Sequence, residues 1–231
     1  MALDNSVFPG SRRVVLPASL KEAAAQEIRR QVFAGVLRPG VRIDQDAVAE
    51  RLGISKLPVR EALIALEVEG IIEVVPRRGA FVARLSREDV RDQYWMLGVI
   101  SGLAAERAAA RMSPASLEAL DEIAARMETE VSSERLDVLN FEFHRVINRA
   151  SRSRRLVSEL KVLGSAIPHG FYESHAQWSA AAHADHREII DAVRAGAGDV
   201  ARKLTEDHFL RGGNRAVALL EERGFWDDAA G

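Results

Sequence analysis

Residues 43 to 84, IDQDAVAERLGISKLPVREALIALEVEGIIEVVPRRGAFVAR, narrow what this chain can fold into more than any other stretch. Two short segments of helical periodicity meet at a glycine, and a pair of β-rich runs follows them. The first segment, 44 to 52, sets Ala47, Val48 and Leu52 on one apolar stripe. Gly53 supplies a turn. Ser55 is then the expected N-cap of a second helix reaching 69, its hydroxyl accepting from a first-turn amide, and Pro58 is tolerated so near a helix start. Val59, Leu63, Leu66 and Val68 are expected to face inward, with Gly70 ending the helix. Outside, Lys56 and Arg60 stand near the N-terminal end, where a recognition helix enters the major groove of DNA.

The β-rich runs alternate as a hairpin does. Ile71, Ile72, Val74 and Val75 form one, Ala80, Phe81 and Val82 the other, and Pro76-Arg77-Arg78-Gly79 joins them. Arginines at such a tip suit an adjacent minor groove, and Gly79 permits close backbone approach. Two arginines in an isolated turn are ordinarily solvated surface; beside a helix-turn-helix they extend one footprint. The candidate contacts to double-stranded DNA are therefore Ser55, Lys56, Leu57, Pro58, Arg60, Arg77, Arg78 and Gly79.

From about residue 19 to 84 the chain resembles the winged-helix domain of GntR-type bacterial transcription regulators. The resemblance is most specific in AGVLRPGVRI, AERLGIS and PVREAL followed by EGIIEVVPRRGAFV. It implies a DNA-binding domain first and an effector domain second. Arg60 matches the family's DNA-contacting arginine. Lys56 and Leu57 stand where the family usually has arginine and threonine, and lysine cannot make arginine's bidentate contact to guanine, so base preference differs. Asp46 puts an acid where relatives are often basic or neutral beside the DNA backbone.

With 231 residues, 47% of them hydrophobic, the chain can form two compact domains. Residues 1 to 90 carry 14 Lys+Arg against 12 Asp+Glu, and residues 91 to 231 carry 18 against 22, a split concealed by the whole-chain −2. So small a positive excess implies modest nonspecific DNA affinity, and tight binding calls for a homodimer with two copies on one duplex. Zero cysteines exclude disulfides and thiolate metal ligands and agree with a cytoplasmic location. No membrane span is expected, and MALDNSVFPGSRRVVLPA lacks the apolar centre of a secretory signal. Residues 1 to 18 are expected to be a loosely ordered arm, with Arg12 and Arg13 as extra phosphate contacts.

After Arg84, strand signals vanish and alanine-rich amphipathic stretches follow. Ser86 with Asp89 predicts a capped helix to about 111, closed at Ser113-Pro114. Further helices are expected over 115 to 131, 134 to 151, 153 to 167, 177 to 195 and 198 to 222. The expected fold is mostly α: a winged helix-turn-helix with a small β wing over 19 to 84, an all-helical bundle over 85 to 224, and a loose tail over 225 to 231.

All six histidines fall between 144 and 208. Asn140 and His144, one turn apart, share a helix face. His186 and His208 are 22 residues apart, a spacing that an antiparallel hairpin turning at Gly196 and Gly198 closes. Three neutral imidazoles and an oxygen suit zinc, nickel, iron or manganese with positions left open, although any one histidine alone is ordinarily core or surface. NFEFHRVINRAS and HADHREIIDAVRAGAGDVARKLTEDH resemble the helical FCD effector domain of the FadR branch of these regulators. Metal-binding members hold a divalent cation with an aspartate four residues before the first of three histidines. The resemblance thus implies Asn140, His144, His186 and His208 as ligands, Asn140 substituting a neutral amide and weakening the grip. His183 and His175 are alternates, and Asp185 and Asp207 are expected to face elsewhere.

The resemblance further implies an effector, in most relatives a small carboxylate on the metal, often held also by an arginine from the first long helix. In YWMLGVISGLAAERAA, Leu97 and Ser101 replace that arginine and a following glutamate. A less acidic, more apolar or larger ligand is expected, or an acid held by metal alone. Tyr94, Leu97, Ser101 and Tyr172 are the candidate pocket residues; Trp95, Phe171 and Trp178 are further aromatics, of a kind that is more often core. The functional expectation is a dimeric, ligand-responsive repressor. Two other classes compete: a metalloenzyme, which would lack a placed general base and have no use for a winged helix, and an architectural DNA-binding protein, which leaves the helical domain unexplained.

Overall fold

The computed structural model describes residues 19–166 and 176–227, with the side chains at 133–134 and 176–180 left aside. The expected arm with Arg12 and Arg13, together with Phe171, Tyr172, His175 and the side chain of Trp178, lies outside the described residues.

Ser19 opens α1 (Leu20–Phe33), its hydroxyl accepting from the Glu22 amide at 3.2 Å. Ala24, Ala25, Ile28 and Val32 on this helix are fully buried and give the first domain its floor. Asp44 caps α2 (Gln45–Leu52), and Gly53 ends it in the left-handed region that glycine adopts without strain. On α3 (Lys56–Val68), Val59, Ala62, Leu63 and Leu66 turn inward. Strands β1 (Ile72–Val75) and β2 (Gly79–Val82) pair antiparallel, Ile72 opposite Val82 and Val75 opposite Gly79. A lone hairpin is marginal in water. Here the segment before α2 adds a third edge, with the Ile43 amide donating to the Ala80 carbonyl and the Val82 amide to the Val41 carbonyl.

Three local expectations are corrected. Val68 is 79% exposed, because it stands about 200° around the helix from Leu66 and so leaves the inner stripe. Ala47 is exposed and Ala49 packs beside Val48 in its place. Ser55 has the extended backbone of an N-cap, but its side chain makes no capping hydrogen bond.

A capping box between Ser86 and Asp89 starts α4 (Arg87–Ala109). Then come α5 (Pro114–Thr129), α6 (Ser133–Ala150), α7 (Arg154–Ser165), α8 (Ala176–Arg194) and α9 (Gly198–Glu222), close to the predicted spans. Helices α4 and α9 lie antiparallel at close range. A Cβ on Gly98 would sit 2.9 Å from Phe209 Cβ, and one on Gly102 2.8 Å from Glu206 Cγ, so only glycine allows this approach. Leu120, Met127, Phe143, Ile189 and Ile190 fill the core among α5, α6 and α8.

The two domains share a seam. Arg29, buried on α1, donates to both oxygens of Glu69 at 2.8 and 2.6 Å, and Glu69 also accepts from Ser165 at the end of α7. Beyond α9 the chain folds back: Phe225 is 1% exposed and stacks on Phe33 at 6.4 Å, the Trp226 indole donates to the Leu85 carbonyl at 2.8 Å, and Arg223 donates to the Phe33 carbonyl at 3.0 Å. The loose tail expected from 225 is therefore an ordered strap as far as Asp227. Its two aromatic rings bury large apolar areas, which outweigh the polar composition that follows them.

Candidate functional site

The first domain presents the expected basic face, with two changes. At the start of α3, Ser55, Lys56, Leu57 and Arg60 are exposed, whereas Pro58 turns inward and is buried. Lys56 Nζ lies 2.7 Å from Asp46 Oδ1; both are exposed, so this pair is weak and open to replacement by a phosphate. Leu57, 65% exposed, offers an apolar contact of the kind that thymine methyls accept. At the wing, Arg77 and Arg78 project from the tip, Arg77 with a positive φ of 63°, and the Arg78 guanidinium lies 5.8 Å from the centre of the Phe81 ring. The room beside Gly79 is taken by Arg42, whose Nε would be 3.0 Å from a Cβ there. Gly79 therefore admits a third wing arginine, bridged to Phe81, which sequence reading missed because it precedes the helix-turn-helix run.

In the helical domain, α6, α8 and α9 bring His144, His186 and His208 together. One ring nitrogen from each lies within 4.8 Å of the others, and the ring centres are 4.8 to 5.4 Å apart. His186 is 2% exposed and packed 4.3 Å from the Phe143 ring centre. Burial, reinforced by the neighbouring imidazoles, holds His144 and His186 well below the ordinary histidine pKa, so their rings are neutral with lone pairs free to ligate. Among the described residues, His144 Nε2 and both nitrogens of His186 are buried without a hydrogen-bond partner. Buried polar atoms are nearly always satisfied, so three orphans at one point suit a metal ion. Asn140, half-buried, stands one turn before His144 on α6.

Asp185 corrects an expectation. Its Oδ2 lies 3.1 Å from His208 Nδ1 and its Oδ1 2.8 Å from Arg211 Nη2. Burial alone would raise this carboxyl, but His208 and Arg211 outweigh it and hold it below its ordinary range. A carboxylate on Nδ1 fixes the proton there and turns Nε2 toward the centre, as outer partners of metal-bound histidines do. Asp207 does face away, paired with Lys203. Of the candidate pocket residues, Tyr94, Leu97 and Ser101 are buried on α4. Tyr94 also lines a cavity of about 450 Å³ at the seam between the domains, together with Glu69, Arg84 and Gln93. Among the described residues, no histidine lines that cavity.

Residues 20–82 match the family described as bacterial regulatory proteins, gntR family, and residues 92–211 match the FCD domain. The chain belongs to the GntR family of regulators with an FCD domain. Among curated relatives of this GntR protein, an uncharacterized HTH-type transcriptional regulator of Mycobacterium tuberculosis is 29% identical over 155 residues, 67% of this chain and 64% of the relative. The aligned region thus spans less than two thirds of that relative's length. The HTH-type transcriptional repressor RspR of Escherichia coli is 22% identical over 204 residues, 86% of this chain and 90% of the relative. Among solved structures, McbR/YncC of E. coli shares the fold with a TM-score of 0.65 at 20% identity, over 89% of this chain and 98% of that one. These relatives are named as regulators, not as enzymes, and the metalloenzyme reading has no support among them.

Proposed function

We propose that this GntR protein is a ligand-responsive repressor that binds operator DNA as a homodimer and senses a small molecule at a metal held in its FCD domain. The observation that carries the reading is the convergence of three imidazoles, with His144 Nε2 and both nitrogens of His186 buried and unpartnered among the described residues, in a domain strapped to a winged helix. His144, His186 and His208 would hold the ion, with Asn140 adding an amide oxygen. When bound, the metal supplies an electrophilic anchor for an oxygen of the effector. Asp185 orients His208, and Phe143 and Phe209 keep the centre dry.

Arg60, Leu57 and Lys56 would read one major groove while Arg42, Arg77 and Arg78 reach the flanking minor groove. The slight positive charge of the first domain supports two copies on one operator, about one DNA turn apart. Exposed Trp95 and Met96 on α4, and Val162 on α7, give the helical domain an apolar surface on which a second copy can seat.

Fluorescence anisotropy on DNA upstream of the protein's own gene, against a scrambled duplex at physiological salt, tests the reading. Expected is a preference of about a thousandfold, reduced roughly 5- to 150-fold by Arg60→Ala with the dimer intact. Elemental analysis of His186→Ala is expected to show loss of bound metal. Equal binding to both duplexes would defeat the operator reading, and full metal in the variant would remove His186 from the centre.

A further inference from the structure

Asp46 is an acid on the face proposed above to meet DNA. Its Oδ1 lies 2.7 Å from Lys56 Nζ, and the two side chains are 68% and 69% exposed. A pair so open to water adds little to stability, so the fold does not depend on it. Both ends are nevertheless well placed. Asp44 caps α2, accepting from the amides of Asp46 and Ala47 at 2.9 and 3.2 Å, and Lys56 is the first residue of α3. A cation there faces the unfavourable end of the helix dipole, and the first turn of α3 holds no acid to relieve it. Asp46, reaching across from α2, supplies that charge.

Against DNA, the backbone cannot satisfy both members of the pair. A phosphate would accept from Lys56 but would leave Asp46 facing another anion at close range. The major-groove edge of a base pair suits both. Cytosine N4 and adenine N6 are the donors there, and each is hydrogen-bonded to an acceptor on its partner base, guanine O6 or thymine O4, so donor and acceptor lie about 3 Å apart. The ammonium and carboxylate are separated by much the same distance. Guanine gives the ammonium a further acceptor, N7, whereas thymine sets a methyl beside O4. On the other side, adenine N7 would meet the second carboxylate oxygen with a lone pair, and cytosine presents only a C–H. Both differences favour G·C over A·T.

We propose that Asp46 is a specificity-determining residue, and that with Lys56 it reads one G·C base pair in the major groove, the ammonium on guanine and the carboxylate on the cytosine amino group. This rests on the operator reading above. The ion pair meets the groove already assembled, so less side-chain freedom is lost on binding than if each charge were ordered separately. Asp46 thereby adds discrimination to a domain whose slight positive charge gives it little nonspecific affinity.

Selection from a library of duplexes with a randomised central segment, by the full-length protein, supplies the probe. The duplex that the wild type selects is then assayed with every single base-pair substitution by fluorescence anisotropy at physiological salt. Expected is one position of each half-site at which the wild type prefers G·C by about tenfold or more, and at which both Asp46→Ala and Lys56→Ala lose most of that preference while other positions keep theirs. Asp46→Asn should turn the preference there toward A·T, because an amide donates to adenine N7 as well as accepting from N6. Circular dichroism confirms the fold of each variant. The inference is overturned if Asp46→Ala leaves the preference unaltered at every position, if the two alanine variants change different base pairs, or if Asp46→Ala tightens binding to all duplexes alike, as mere relief of phosphate repulsion would. A wild type that selects no consensus defeats the operator reading itself, whereas a consensus indifferent to Asp46 defeats only this inference.

Discussion

Burial pushes the carboxyl of Asp137 from an ordinary 3.8 up to about 7, with no opposing charge among the described residues to counter it. The folded-state pKa is raised, so whatever this residue contributes to stability is intact below about pH 4 and is lost progressively as pH rises through 7. At 1.36 kcal/mol per unit the upper bound is about 4 kcal/mol, and solvent relaxation will lower it. Asp137→Asn should therefore melt above the wild type by a margin that is modest at pH 5 and clearly wider at pH 8. Thermal denaturation at both values checks this, and a difference that does not widen with pH would refute it. The same residue marks a limit of sequence reading. An acid in SSERLDVLNFEFH looks like part of a solvated face, and only its seven-residue step from His144 places it on the buried side. The histidines themselves were legible, because three of them at helix-compatible spacing need no knowledge of the surrounding core. Asp185 was misjudged for a geometric reason: one residue from His186 it points about 100° away, which is where α9 presents the outer nitrogen of His208.

Helix α9 carries His208 and is located by glycines on its neighbour. Phe209, next to that histidine, rests on Gly98, and Glu206 rests on Gly102. Gly98→Ala would force a Cβ to within 2.9 Å of Phe209, and since neither backbone can yield freely, α9 must move outward. The expected cost is about 1 to 3 kcal/mol, typical of overpacking, and, on the proposed metal reading, a fall in bound zinc because His208 leaves the trio. Melting temperature and elemental analysis report the two effects separately; unaltered zinc at unaltered stability would show that the close approach is not needed. Helix spans were well read here because caps and breaks such as Ser86, Asp89, Ser113 and Pro114 are local. Helix α1 was less visible. Its alanine-rich face gives weak contrast, and it became apparent only as part of a longer resemblance. Pairings between distant helices could not be read, since glycines that permit contact look in sequence like glycines that break helices.

Across the whole molecule, the seam decides whether binding in one domain is felt in the other. Phe225 and Trp226 lie against Phe33 and Leu85, and the first-domain core runs without a gap into the faces of α4 and α9. Phe225→Ala should cost about 3 to 5 kcal/mol and, by opening that seam, split calorimetric unfolding into two transitions. One transition at the wild-type temperature would mean that the strap does not join the domains. The strap also alters what counts as a portable unit when such genes recombine. A crossover in the short link after Arg84 would trade one helical domain for another and seem to respect the domain border. The newcomer's last residues would then meet a Phe33 and a Leu85 that had not been selected with them. Lineages that exchange sensors in this way should either change both ends of the chain together or lose the response while keeping the fold.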